Sequence, residues 1–302
     1  MRLRLGINTC FAVKRWPRPE DWAAVVRDRL DLRIVQHSLD LVNTDAAATQ
    51  ATLVRDAVAA HSLELHSTFT GLAAYSSNLL LAPDAADREA AQAWFATVIG
   101  FTRAVGGRAT GGHVGCYSVP DWRDPARRAA LWEGLRSSLA ELAADAREAG
   151  LEYLMVENLA VAREPSTMAM IRSLLTDGDD RHVPIRLCLD VGHMCVPGTT
   201  GADRDPYAWL RALGASAPVV QLQQSDASGD HHWPFTPQRN AEGRITAERV
   251  IKALGEGGVE ESALLLEVIP PFEQADDAVL DDLAVSVNYW REALARQGVL
   301  AD

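Results

Sequence analysis

Four polar side chains close four apolar runs in the second half of this chain. Tyr153-Leu154-Met155-Val156 ends in Glu157, and Ile185-Arg186-Leu187-Cys188-Leu189 ends in Asp190, with His193 one turn later. Val219-Val220-Gln221-Leu222 ends in Gln223, and Ala263-Leu264-Leu265-Leu266 ends in Glu267. The four are spaced 33, 33 and 44 residues apart. A strand-helix unit of a (β/α)₈ barrel takes roughly 30 residues, and such barrels place their chemistry at the C-terminal ends of strands. Four successive strand ends converge on one point. Three carboxylates converge only where a cation or shared protons offset their repulsion. A divalent metal is the simplest answer.

Carboxylate and amide oxygens with an imidazole nearby suit a hard or borderline ion: Mn²⁺ first, with Mg²⁺ or Co²⁺ as alternatives. No thiolate accompanies them, which argues against a structural zinc site. Gln223 reads either as a ligand or as a hydrogen-bonding residue. Alternation along a strand puts Gln221 on the same face as Gln223, so a barrel interior could hold both. Cys10, Cys116, Cys188 and Cys195 form no C-x-x-C pair and read as small buried hydrophobes.

Alternating strand and helix signals run the length of the chain. Strands are expected at Leu3–Asn8, Leu32–Gln36, Leu63–Ser67 and Arg108–His113, then at the four runs above. Helices are expected from Pro19, over Asp45–Ala60, Asp84–Val105 and Pro125–Ala149 with a stop at Gly150, and over Ser166–Leu175, Asp205–Leu213, Thr246–Leu254 and Asp276–Gln297. No linker or low-complexity stretch interrupts them. The expectation is one TIM-barrel domain of α/β class over residues 1–302. A doubly wound open sheet would usually show a glycine-rich loop after the first strand, and Asn8-Thr9-Cys10-Phe11 is not one.

Val156-Glu157-Asn158, Leu189-Asp190-Val191-Gly192-His193 and Leu266-Glu267-Val268 resemble the signatures of the xylose-isomerase-like barrel superfamily of sugar isomerases and epimerases. The resemblance covers essentially the whole chain. It implies a metal held at strands five to eight by Glu157, Asp190, Gln223 and Glu267. The superfamily's usual His at the third position is Gln here. The resemblance also implies that His193 contacts a substrate hydroxyl. Two glutamates on opposite sides of a ketose suit acid-base chemistry. One takes the proton beside the carbonyl, and the other returns it to the opposite face.

The segment Ser225–Arg244 is long, polar and broken by Pro234 and Pro237. Long loops in compact barrels are usually functional, and barrels often bind phosphate near strands seven and eight. His231, His232, Trp233 and Arg244 are therefore expected to contact the substrate, with Arg239 beside them. His66, read as the end of strand three, is expected to line the pocket, with His113 and His37 as further candidates at the mouth. Phe11 and Trp16 could wall a sugar.

The leading expectation is a metal-dependent epimerase or isomerase acting on a small ketose or ketose phosphate, such as a tetrulose phosphate. The same enediolate chemistry would serve a lyase or decarboxylase acting on a 3-oxo sugar acid or 3-oxo C-glycoside. An abasic-site endonuclease shares the barrel, but it uses a His-rich zinc site and needs a basic surface. The net charge of −12 speaks against nucleic acid. A barrel that only binds sugars would have no reason to keep the ligand set. No run approaches the ~20 apolar residues of a membrane span. The N-terminus lacks signal-peptide features, so the chain reads as cytoplasmic. Barrel relatives commonly self-associate, and a homo-oligomer is expected.

Overall fold

The computed structural model describes residues 1–301. Eight parallel strands form the barrel: β1 (Arg2–Asn8), β2 (Ile34–Ser38), β3 (Glu64–Phe69), β4 (Ala109–Gly112), β5 (Tyr153–Glu157), β6 (Ile185–Asp190), β7 (Val219–Leu222) and β8 (Glu261–Leu266). Each pairs with the next, β8 pairs with β1, and β1 pairs with β2, which closes the ring. A short β9 (Leu300–Ala301) adds to the outside of β1. It was not expected from the sequence.

The helices are α1 (Pro19–Ala24), α2 (Ala47–Ala60), α3 (Ala85–Ala104), α4 (Val119–Arg123), α5 (Pro125–Ala149), α6 (Met168–Leu174), α7 (Pro206–Leu213), α8 (Pro237–Glu242), α9 (Ala247–Glu256) and α10 (Asp276–Arg296). Their boundaries follow local chemistry. Asp124 accepts from the backbone N–H groups of Ala126 and Arg127, Pro125 opens α5, and Gly150 ends it in the left-handed region. Asp205 and Pro206 start α7 in the same way. Helix α8 lies inside the stretch read as an irregular loop. Its Pro237 is a helix starter, with Thr236 capping the N–H of Arg239. No helix among the described residues is long and apolar enough to cross a membrane.

Strand alternation divides the core into two layers. One set of side chains packs outward against the helices, where Leu3, Ile7, Trp22, Trp209 and Trp290 are buried. The other fills the barrel: Ile34, Phe69, Tyr153, Met155, Val219 and Leu265 form its apolar middle. Side chains from different strands crowd the interior. A Cβ on Gly111 would lie 2.0 Å from the Met155 carbonyl, and its φ of +139° is one that only glycine adopts readily. Above this apolar plug the inward positions turn polar, and that change of chemistry marks the site.

Candidate active site

Asn8, Gln36, Gln221 and Glu267 form a buried polar layer above the apolar middle. Asn8 on β1 donates to the Oε1 atoms of Gln36 (2.9 Å) and Glu267 (3.1 Å). Gln221 on β7 donates to the same two oxygens, at 3.0 Å each. Gln36 in turn donates to Ser67 Oγ (3.2 Å). These bonds cross the barrel from β1 and β2 to β7 and β8. They hold Glu267 by one oxygen and leave the other free.

Asp190 ends β6 fully buried. Its Oδ1 accepts from the Gly192 N–H (2.6 Å) and from Gln223 Nε2 (3.1 Å). Asn158 ties the ends of β5 and β6 by bonding both backbone groups of Asp190, at 2.9 Å each. Glu157 ends β5 and accepts from the Tyr75 hydroxyl at 3.1 and 3.0 Å. His193 Nδ1 donates to the Asn158 carbonyl (2.7 Å) and lies 3.4 Å from Glu157 Oε1.

Within this layer three buried oxygens remain without a hydrogen-bond partner: Asp190 Oδ2, Gln221 Oε1 and Glu267 Oε2. They belong to β6, β7 and β8, which are neighbours, and Asp190 and Gln221 are register partners. A buried acceptor with no donor is costly, and a cation would satisfy such oxygens. The electrostatics agree. Burial first, then the charge of Asp190, raises the pKa of Glu157 well above the carboxylate range; His193 and Tyr75 work against the rise. Burial first, then Glu157 and Asp190, does the same to Glu267. Among the described residues no lysine or arginine pairs with any of these carboxylates. The donor set fits a divalent metal.

Gln223 directly follows β7 and lies beside Asp190. Two carboxylates lie on its amine side: Nε2 donates to Asp190 (3.1 Å) and to Asp230 (2.7 Å). Its Oε1 accepts the backbone N–H of His232 (2.6 Å). The amide is thus spent on fixing the loop after β7, and Gln221 carries the unpaired oxygen. Gly192 makes room for it, since a Cβ there would sit 2.3 Å from Gln223 Cδ.

The remaining expected residues divide. His232 enters the site: it is buried, with Nε2 3.2 Å from Asp230 Oδ2 and Nδ1 3.2 Å from the Glu267 carbonyl. His231 does not. It stacks flat on Trp233 at 4.0 Å and 2°, while the Arg239 guanidinium lies 4.3 Å from the same ring. Arg244 is a staple, donating to the carbonyls of Arg204 (2.9 Å) and Met194 (2.8 Å) and so tying the loops after β6 and β7.

The expected position of His66 is corrected. β3 continues to Phe69, so His66 lies in the strand, bonded to Ser67 Oγ (3.1 Å). Burial and the charge of Arg108 lower its pKa to about 4. His37 turns outward between Trp22 and Phe101, and burial lowers its pKa to about 3. His113 forms a buried pair with Glu164 at 3.3 Å.

Two residues at the site escaped the sequence reading. Tyr75 sits in a turn after β3 with no periodic signal around it. Asp230 contacts Gln223, His193 and His232 at once. Its place two residues before His232 was the available clue.

Comparison with known proteins gives a consistent picture. The family model described as xylose isomerase-like TIM barrel matches residues 29–285. The chain is 32% identical over 300 residues to D-erythrulose 1-phosphate 3-epimerase from Brucella abortus (strain 2308), covering 96% of each chain. A crystal structure of a Rhodospirillum rubrum ATCC 11170 protein, named for xylose isomerase, superposes with a TM-score of 0.87. It has 33% identity over 96% of this chain and 99% of its own. D-psicose 3-epimerase from Clostridium cellulolyticum H10 shares the fold at a TM-score of 0.69 and 16% identity, covering 96% of this chain and 99% of its own. The chain belongs to the xylose isomerase-like TIM barrel family.

Proposed function

We propose that this protein is a divalent-metal-dependent sugar epimerase that inverts the carbon beside the carbonyl of a small ketose phosphate, a tetrulose phosphate first among them. The observation that carries the reading is the set of three unpartnered buried oxygens on β6, β7 and β8, joined by Glu157 on β5. The Brucella abortus relative supports the substrate class. We assign the metal to Glu157, Asp190, Gln221 and Glu267, with Gln221 in place of Gln223. An all-oxygen set suits Mn²⁺, with Mg²⁺ and Co²⁺ as alternatives. Four unpaired thiols are compatible with a reducing cytoplasm.

The bound ion would supply Lewis-acid stabilisation of the negative charge that develops on the substrate oxygens. The protein does the rest. Glu157 and Glu267 come from β5 and β8, separated by two strands on either side of the metal ligands between them. One carboxylate removes the proton from the carbon beside the carbonyl, and the electron pair moves into an enediolate. The other carboxylic acid returns a proton to the opposite face, and the centre is inverted. Tyr75 holds both oxygens of Glu157, whereas Glu267 keeps Oε2 free. The buried polar layer of Asn8, Gln36 and Gln221 keeps Glu267 aligned and water out.

Proton exchange in D₂O, followed by NMR with Mn²⁺ and a panel of tetrulose to hexulose sugars and their phosphates, tests this reading. Deuterium should enter beside the carbonyl, and chelation or Glu267→Gln should abolish it. Absence of exchange on every member with metal bound contradicts the proposal, and release of CO₂ or an aglycone would identify a lyase instead.

A further inference from the structure

Tyr75 reaches Glu157 from a single 3₁₀ turn, Leu72–Ser76, that follows β3. The first N–H groups of such a turn have no partner within it. Gly71 precedes the turn and has no side chain to cap it. The cap comes from the loop after β2: Asp40 Oδ2 accepts the Leu72 N–H (2.6 Å), and Asp40 Oδ1 accepts the Ala73 N–H (2.9 Å). We propose that Asp40 is a positioning residue for the reaction, which clamps this turn and thereby sets where the Tyr75 hydroxyl meets Glu157.

The clamp is fixed to the barrel rather than to the loop it holds. Asp40 lies two residues past Ser38, the buried last residue of β2. The Asp40 N–H donates to Ser38 Oγ (3.3 Å), and Ser38 Oγ donates to Asp40 Oδ2 (3.2 Å). The Ser38 N–H donates in turn to Thr9 Oγ1 (2.8 Å), just past the end of β1. Both carboxylate oxygens are used, on neighbouring amides. The turn can therefore neither slide along Asp40 nor rotate about it without losing a charge-assisted bond. Gly71 lets the two loops approach this closely. A Cβ there would lie 2.6 Å from Asp40 Cγ and Oδ2 and 2.7 Å from Ser38 Oγ, and its φ of +76° favours glycine.

Position matters at the other end of the turn. The Tyr75 hydroxyl lies 3.1 and 3.0 Å from the two Glu157 oxygens, and its ring packs against His113 at 4.8 Å. The His113 N–H donates to Thr70 Oγ1 (2.8 Å), directly before Gly71, so the surface beneath the ring is tied to the same segment. A shift of the turn by about 1 Å would carry the hydroxyl out of hydrogen-bond range of at least one oxygen. Misplacement on that scale costs rate even when the altered residue does not touch the substrate. The effect of Asp40 on Glu157 runs through Tyr75.

The catalytic consequence rests on the epimerase reading, whereas the placement of Tyr75 is read without substrate. Fluorine NMR is recorded on protein whose five tyrosines are replaced by 3-fluorotyrosine. The signal missing from Tyr75→Phe belongs to Tyr75. It should shift towards the position of a solvent-exposed ring in Asp40→Ala. Gly71→Ala, which displaces the carboxylate from the other side, should do the same. Asp40→Asn keeps one acceptor oxygen and should shift the signal less, with circular dichroism confirming the fold of each variant. An unmoved Tyr75 signal in the folded variants overturns the proposal. With a sugar that exchanges deuterium, Asp40→Ala should lower kcat about tenfold with little change in KM. In the Tyr75→Phe background the same substitution should cost nothing further. An equal loss in both backgrounds also overturns the proposal, because the two residues would then act independently. A chain that exchanges no sugar removes the epimerase reading and leaves the fluorine signal to decide whether Asp40 places Tyr75.

Discussion

The two ends of the barrel treat charge in opposite ways. At the N-terminal end Arg4 meets Glu64 through two hydrogen bonds of 2.9 and 2.6 Å, and Arg108 pairs with Glu152. These charges are partly exposed and paired. At the C-terminal end Glu157, Asp190 and Glu267 are buried, and no arginine or lysine among the described residues pairs with them. An ion pair near water costs little and contributes little. Buried carboxylates without a cation are a standing penalty that folding alone would not select. The difference separates architecture from function within a single set of strands.

Glu267→Gln and Glu157→Gln should each lower the rate of deuterium exchange by about 10²–10⁴-fold, the usual worth of a positioned acid or base. Both variants should stay folded, because the substitution removes a buried charge. Next in size is the metal. Saturating Mn²⁺ at a thousand times its Kd adds about 4 kcal/mol to stability, and the melting midpoint should rise by roughly 10 °C over the chelated chain. An unchanged midpoint would show that the unpartnered oxygens are not a cation site.

Tyr75→Phe removes the only side-chain hydroxyl bonded to Glu157 among the described residues. A hydrogen bond to a charged group is worth about 1.5–3 kcal/mol, so kcat should fall about tenfold or more while the metal count stays unchanged. The smallest effect belongs to the other end. Arg4→Ala should cost about 1 kcal/mol or less and leave kcat as it was. Its pH signature has a definite sign. The hydrogen bond from Arg4 holds the Glu64 carboxyl below its ordinary value. The stability that pair contributes is present above the unfolded carboxylate pKa, near 4.3, and is lost as pH falls through the depressed folded value. Acid melting curves of Arg4→Ala should lack that component.

The same contrast explains what the sequence could reveal. Glu157, Asp190 and Glu267 each end an unbroken apolar run, and a parallel strand buried on both faces has to read that way. Their convergence follows from the barrel alone. Gln221 and Gln223 share a face, so periodicity could not choose between them. The proposed choice of Gln221 rests on the hydrogen bonds, since Gln223 spends its oxygen on the His232 N–H. His66 falls inside β3 because the polar pair Ser67-Thr68, which reads as a strand end, is followed by Phe69 within the same strand. Tyr75 and Asp230 come from loops, where no repeat marks the residues that turn inward. Helix α8 was hidden by Pro237, since proline ends one helix and starts another with equal ease.

The most direct test of the central claim is anomalous diffraction from crystals of the Mn²⁺-loaded protein. A strong peak is expected about 2.2 Å from oxygens of Asp190, Gln221 and Glu267, with Glu157 completing the set and Gln223 still bonded to the backbone of His232. A peak coordinated by Gln223, with Gln221 unmoved from Gln36, would contradict it.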